Sequence, residues 1–283
     1  MSLMSVDELA RRLPDANVRV VDTRWYLLRP GDGRDAYRAG HIPGAIHLDP
    51  DSDLSAVSGP GRHPLPDPRE FRAHLESVGI GTDDVVVAYD DVGGTVAARL
   101  WWMLDNLGHR TVFVLDGGIQ AWVAAGNDLT TDEPRWPPAS LSLRDHWRNV
   151  IDREELSGRL GEVTLLDARA PDRYRGDVEP IDPKAGHIPT ALSAPAAANL
   201  DPQGHLLPAD QLRTRFSALA SPGRPFVTSC GSGTTACHHA LAMRVGGLPD
   251  PLLYVGSFSD WSRSDMPVAV GDSPTETIAV APR

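Results

Sequence analysis

The chain has 283 residues, which at about 150 residues per domain points to two domains. Hydrophobic residues make up 41% and charged residues 23%, ordinary globular usage that excludes a disordered chain. With 27 Lys+Arg against 38 Asp+Glu the formal net charge is −11, which excludes a generally basic nucleic-acid surface and disfavours anionic membranes, while leaving room for a local cationic pocket.

The opening MSLMSVDELARRL is polar and amphipathic, unlike a signal peptide. Val18–Asp22 is predicted to be a buried strand, followed by a proline-rich, acidic loop over residues 49–68. A second strand is expected at Val85–Tyr89, a helix with a very apolar face at residues 96–107, and a third strand at Val112–Leu115. Residues 127–145 carry Pro134, Pro137 and Pro138 among polar residues and read as a linker, since proline blocks helix interiors and central strands. The second half repeats the pattern, with strands at 163–167, 225–229 and 252–255 and a helix at 235–245. Short apolar strands alternating with helices predict an α/β fold, each half a mainly parallel sheet flanked by helices on both faces. No apolar run approaches the roughly 20 residues of a membrane span.

The halves are copies of one another. VVDTR at 20–24 returns as LLDAR at 165–169, GHIPGA at 40–45 as GHIPTA at 186–191, and LDGGIQAW at 115–122 as YVGSFSDW at 254–261. Three matches in one order, at nearly constant offset, mean one domain present twice rather than a short-period solenoid. The expected boundaries are 1–135 for the first domain, 136–147 for the linker and 148–283 for the second.

Two cysteines, Cys230 and Cys237, are too few for a disulfide scaffold and fit a reducing, cytoplasmic setting. Cys230 stands at a strand end and opens the loop Gly231, Ser232, Gly233, Thr234, Thr235 ahead of a helix. Glycines let backbone N–H groups converge as an anion nest, and the helix N-terminus adds partial positive charge. A thiol there is expected to ionise more readily than free cysteine, whose pKa is about 8.5, and to serve as a nucleophile. Cys237 lies inside the helix and reads as a small core residue. A zinc site from Cys230, Cys237, His238 and His239 fits poorly, because the spacing is wrong and adjacent histidines face apart on a helix. In the first half the loop reads DDVGGTVAA, with Asp90 in the cysteine's place, so that copy is expected to be catalytically silent.

These segments resemble the two-domain sulfurtransferases of the rhodanese family, over nearly the whole chain. CGSGTT resembles the CGSGVT loop typical of mercaptopyruvate-using members more than the basic CRKGVT form of thiosulfate-using ones, with Thr234 in place of the usual valine. The resemblance implies tandem rhodanese-like domains and no metal or organic cofactor. Sulfur would pass from a small anionic donor, 3-mercaptopyruvate before thiosulfate, through a Cys230 persulfide. The acceptor would be cyanide, a small thiol or a thioredoxin-like protein, with no nucleic-acid or membrane partner. It also implies that Arg173, and less directly Arg169, bind the donor. Trp25 and Tyr89 would face the cleft, and Asp51 and His63 would act with Ser232 in polarising the donor. His41 and His187, in both GHIP segments, read as architectural because the silent copy has one too, and Trp101, Trp102, Trp122 and Trp261 as core.

Two other classes compete. A cysteine phosphatase or arsenate reductase also seats cysteine at a helix start, but a phosphatase needs arginine six residues on, and Ala236 stands there. A persulfide carrier for a partner protein would use the same Cys230 chemistry without turnover.

Overall fold

A computed structural model describes residues 2–275 and the backbone of 277–278. It contains two compact units. The first comprises Met1–Val57, Leu65–Arg148 and Leu200–Leu206, and the second Ser58–Pro64, Asn149–Asn199 and Leu207–Arg283.

In the first unit the chain runs β1 (Leu3–Met4), α1 (Val6–Arg12), β2 (Val18–Asp22), α2 (Asp32–Ala39), β3 (Ile46–His47) and α3 (Pro68–Ser77), then β4 (Val85–Tyr89), α4 (Ala97–Leu107), β5 (Val112–Leu115) and α5 (Gly118–Ala124). The sheet order is β1-β5-β4-β2-β3, every pair parallel. β4, VVVAY, is buried at all five positions because it is paired on both sides and covered on both faces, which is why it reads as one unbroken apolar run. α4 buries Trp101 and Trp102 and stops at Gly108, whose φ of 95° supplies the left-handed turn of a helix C-terminus. The stretch expected to be a linker belongs to this unit: Trp136 lies under the Arg19 guanidinium at 4.2 Å, and Trp147 stacks on Trp102 at 5.9 Å.

The second unit runs β6 (Val150–Ile151), α6 (Arg153–Gly158), β7 (Thr164–Asp167), α7 (Pro171–Arg175), β8 (Leu192–Ser193), a 3-10 turn at Ala196–Asn199 and α8 (Ala209–Leu219). β9 (Phe226–Ser229), α9 (Ala236–Val245), β10 (Leu252–Tyr254) and α10 (Ser257–Trp261) follow, then β11 (Val268–Ala269) paired antiparallel with β12 (Thr277–Ile278). Its sheet order, β6-β10-β9-β7-β8, is the first unit's order again, all parallel. In this order the chain leaves β7 towards β8 on one side and leaves β9 towards β10 on the other. The gap between β7 and β9 is therefore a topological switch point, and ligands of such sheets sit beyond the carboxyl ends of the strands there. The loop after β9 begins with Cys230, and the segment after β7 carries Arg169 and Arg173.

Candidate active site

The loop from β9 to α9 curls around its own sulfur. Cys230 is only 3% exposed, and its Sγ accepts the Gly233 N–H at 3.1 Å. Gly233 has φ 84°, and a Cβ there would strike the Val255 carbonyl, so the turn that aims this N–H at sulfur requires glycine. The Gly233 carbonyl in turn accepts the Cys237 thiol at 3.3 Å, and Cys237 is fully buried in α9.

The first turn of α10 braces the loop. The Ser257 hydroxyl accepts the Cys230 N–H at 3.1 Å and donates to the Tyr254 carbonyl at 2.8 Å. Phe258 N–H donates to the Cys230 carbonyl at 3.0 Å, and Ser259 N–H to the Gly231 carbonyl at 2.8 Å. Ser257 sits at φ 51°, a conformation that costs a non-glycine residue energy and that is concentrated at functional sites. The repeat YVGSFSDW drew attention to this segment, but nothing in the sequence says that Ser257 holds the cysteine.

The polar wall comes from two places. His63 and Arg62 lie in Ser58–Pro64, which belongs to the second unit although it falls in the first half of the sequence. His63 is 4% exposed; its Nδ1 is 2.7 Å from Ser232 Oγ and 3.3 Å from Thr234 Oγ1. Arg62 Nη1 is hydrogen-bonded to Asp182 Oδ1, and its own N–H donates to Ser259 Oγ at 3.0 Å. Arg173 Nη2 donates to Glu179 Oε1 at 2.7 Å and lies 3.5 Å from Asp182 Oδ2. Both guanidiniums stand over Gly231: a Cβ on that residue would come within 2.9 Å of Arg62 Nη2 and 3.4 Å of Arg173 Nη1. The sequence marks Arg173 as a donor-binding candidate and gives no sign of Arg62, and the structure brings both guanidiniums to Gly231.

The first unit shows what the same loop does without a thiol. Asp90 is fully buried, and its Oδ1 accepts N–H groups from Val92 at 2.9 Å and Gly94 at 2.8 Å. Its Oδ2 accepts those of Val96 at 2.7 Å and Ala97 at 2.8 Å. Burial raises the Asp90 pKa, while the four N–H groups pull the other way. Here four N–H groups do converge as an anion nest, and the chain's own carboxylate fills it. Gly118, with φ 58°, occupies the place of Ser257, and Ile119 N–H donates to the Asp90 carbonyl as Phe258 does to Cys230.

Two expected site residues are parts of the framework instead. Arg169, its side chain 2% exposed, grips Asp167 through both Nε and Nη2, donates to the Gly186 carbonyl at 2.7 Å and lies 4.0 Å over the Phe258 ring. Burial alone would lower its pKa, but Asp167, Glu179 and the Cys230 sulfur raise it on balance. Arg24 makes the same bonds to Asp22 and the Gly40 carbonyl in the first unit, so the arrangement belongs to the fold rather than to the donor. Tyr89 is fully buried in the first unit's core; its hydroxyl donates to Asp22 Oδ2 at 2.7 Å and accepts the Ile42 N–H. Such a side chain cannot line a cleft. Trp25 is half-buried in the first unit, and Asp51 lies there on an exposed turn, its N–H donating to Asp49 Oδ1. His41 and His187 are architectural as expected: each ring stacks on a tyrosine, Tyr37 at 3.9 Å and Tyr174 at 3.8 Å, and bonds the same tyrosine's carbonyl.

A family profile described as Rhodanese-like domain matches residues 5–125 and 152–264. The chain is 46% identical over 280 residues to a protein of Pseudomonas aeruginosa named probable 3-mercaptopyruvate sulfurtransferase, covering 95% of this chain and 98% of that one. It is 34% identical over 265 residues to the thiosulfate sulfurtransferase of Mus musculus, covering 89% and 87%. The structure superposes on the 3-mercaptopyruvate sulfurtransferase from Leishmania major with a TM-score of 0.81 and 31% identity, over 92% of this chain and 74% of that one. With two matched domains, a parallel sheet in each and a single cysteine-bearing loop, the chain belongs to the rhodanese family, as a two-domain sulfurtransferase.

Proposed function

We propose that the protein moves sulfur from a small anionic donor, 3-mercaptopyruvate before thiosulfate, to a thiol or cyanide through a persulfide on Cys230. The observation that carries this is the surroundings of the Cys230 sulfur: a backbone N–H on Sγ, and the Ser232–His63 pair in the same loop environment. In the first half-reaction the Cys230 thiolate attacks the donor's sulfur. A sulfur–sulfur bond forms and the donor's carbon–sulfur bond breaks, its electron pair passing to carbon. That carbon takes up the proton from the donor's thiol, so pyruvate leaves and the persulfide anion remains. Ser232, paired with His63, donates to the donor's ketone oxygen, where negative charge develops as the bond breaks. In the second half-reaction a thiolate or cyanide attacks the outer sulfur and the Cys230 thiolate is regenerated. The acceptor is a small thiol, a thioredoxin-like protein or cyanide. Neither cysteine is in a disulfide, which suits a reducing, cytoplasmic setting.

Thiosulfate is the second reading, favoured by the two guanidiniums beside Gly231, which suit a dianion. The neutral Gly231–Ser232 pair and the Ser232–His63 contact, useful only to a donor with a ketone, favour mercaptopyruvate. Mass spectrometry after donor treatment tests the reading: one added sulfur, about 32 mass units, is expected on the peptide carrying Cys230. Cys230→Ser should abolish transfer and Cys237→Ser retain most of it; equal loss in both would refute the assignment. kcat/KM is expected to be higher for mercaptopyruvate, and a tenfold advantage for thiosulfate would reverse the choice of donor.

A further inference from the structure

Arg62 sits in a proline-rich loop with no periodicity, far in sequence from everything it touches, and yet it is built into the wall of the cysteine loop. Its N–H is held by Ser259 Oγ, and a Cβ on the preceding Gly61, at φ 78°, would collide with the Gly256 carbonyl, so the segment lies tight against the brace of the loop. On Asp182, whose side chain is fully buried, it meets Arg173 at 3.5 Å and Arg263 at 3.5 Å. With Glu179, this cluster has three guanidiniums against two carboxylates and so an excess positive charge.

The donors left over are specific. Arg62 Nη1 is committed to Asp182, and Arg173 Nη2 to Glu179 and Asp182. Arg62 Nη2 and Arg173 Nη1 have no hydrogen-bond partner among the described residues, and these are the two nitrogens that close on the missing side chain of Gly231. The Nε atoms of both arginines are buried without a partner as well. Any side chain at 231 would fill the space between them. Two guanidiniums with unspent N–H groups converge there, and a carboxylate accepts parallel bonds from such forks.

We propose that Arg62 is a donor-binding residue that forms, with Arg173, a two-pronged clamp for the carboxylate of the sulfur donor, and that Asp182 is the buried pivot holding both prongs at Gly231. The clamp explains how a loop with no basic residue of its own receives an anionic donor: one cation is supplied by the segment after β7, the other by Ser58–Pro64. His63 follows Arg62 directly, so one short segment supplies both a charge for the carboxylate and the imidazole paired with Ser232.

The inference rests on the sulfur-transfer reading for its substrate, but its test does not. Titration calorimetry with pyruvate, which has the donor's carboxylate and no sulfur, reads the clamp alone, and kcat and KM with 3-mercaptopyruvate read it in turnover. Arg62→Gln is expected to weaken pyruvate binding and raise KM by about tenfold or more, with kcat within about threefold; Arg173→Gln should behave alike, and Arg62→Lys should fall between. Wild-type protein that does not bind pyruvate, or Arg62→Gln protein whose pyruvate affinity and KM stay within about twofold of wild type, overturns the proposal. Where Arg62→Gln lowers the thermal midpoint by more than a few degrees, Arg62→Lys carries the test: weaker binding supports the clamp, unchanged binding refutes it. A wild-type protein that gains no sulfur on Cys230 but binds pyruvate in an Arg62-dependent way would refute sulfur transfer and leave the clamp standing.

Discussion

Serine in a left-handed conformation is an expense that Gly118, at the same place in the first unit, avoids. What Ser257 adds is its hydroxyl, which accepts the N–H of the proposed nucleophile and passes the load to the Tyr254 carbonyl. Two substitutions separate these effects. Ser257→Ala keeps the strain and leaves a buried N–H unpaired, so stability should fall by about 1–2 kcal/mol and kcat/KM by about tenfold. Ser257→Gly relieves the strain, so its thermal midpoint should stay close to wild type while kcat/KM still falls about tenfold, because the loop loses the bond that fixes Cys230. If Ser257→Gly transfers sulfur at the wild-type rate, the hydroxyl serves packing alone.

At the scale of the element, the two strand–loop–helix units are one design in two states. After β9 the residue in that place is a cysteine, whose short side chain accepts the Gly233 N–H. After β4 it is an aspartate, whose two oxygens take four N–H groups between them. Asp90 is therefore a structural plug. Asp90→Ala should cost roughly 3 kcal/mol or more, since several buried donors lose their acceptor together, and should lower the thermal midpoint by several degrees. At temperatures where the variant remains folded its kcat/KM should change less than about threefold, because the sulfur chemistry is assigned to Cys230. A large loss of turnover with no loss of stability would mean that Asp90 takes part in transfer.

These local units were also the most legible part of the sequence. Strand, glycine loop and helix are contiguous, so a cysteine at the strand end with a glycine turn ahead of a helix could be read from spacing, and the central strands β2, β4 and β5 fell at the predicted residues. The edge strands β1, β3, β6 and β8 have two residues each, too few to show any period. Arg62 was invisible for another reason: its partners Asp182 and Ser259 lie 120 and 197 residues away, and no local pattern marks such a contact. Tyr89 and Arg169 misled because each adjoins a loop that resembles a site, while burial, which only the tertiary fold decides, had turned each inward.

For the whole molecule, the same burial decides how stability depends on pH. His239 of α9 is fully buried, with its ring edge-on to Phe216 at 5.5 Å, and burial, helped by the neighbouring His238 and Arg215, drives its pKa down to about 3. Burial lowers His47, His109 and His187 as well. In the unfolded chain such histidines take a proton near pH 6.5. Between that pH and the folded value the unfolded state binds more protons, so stability must fall as the solution is acidified. The loss is absent above about pH 7, grows by up to about 1.4 kcal/mol per pH unit for each such histidine, and for His239 levels off only near pH 3. His239 alone should therefore cost about 2 kcal/mol between pH 6.5 and pH 5.0. Urea titrations at the two pH values check this, with His239→Gln as the comparison: it removes one titrating group and should shallow the pH slope by that amount, whatever it does to stability at neutral pH. A slope identical in the two proteins would show that His239 takes its proton in the folded state as readily as in the unfolded one, and that its burial is not felt by its charge.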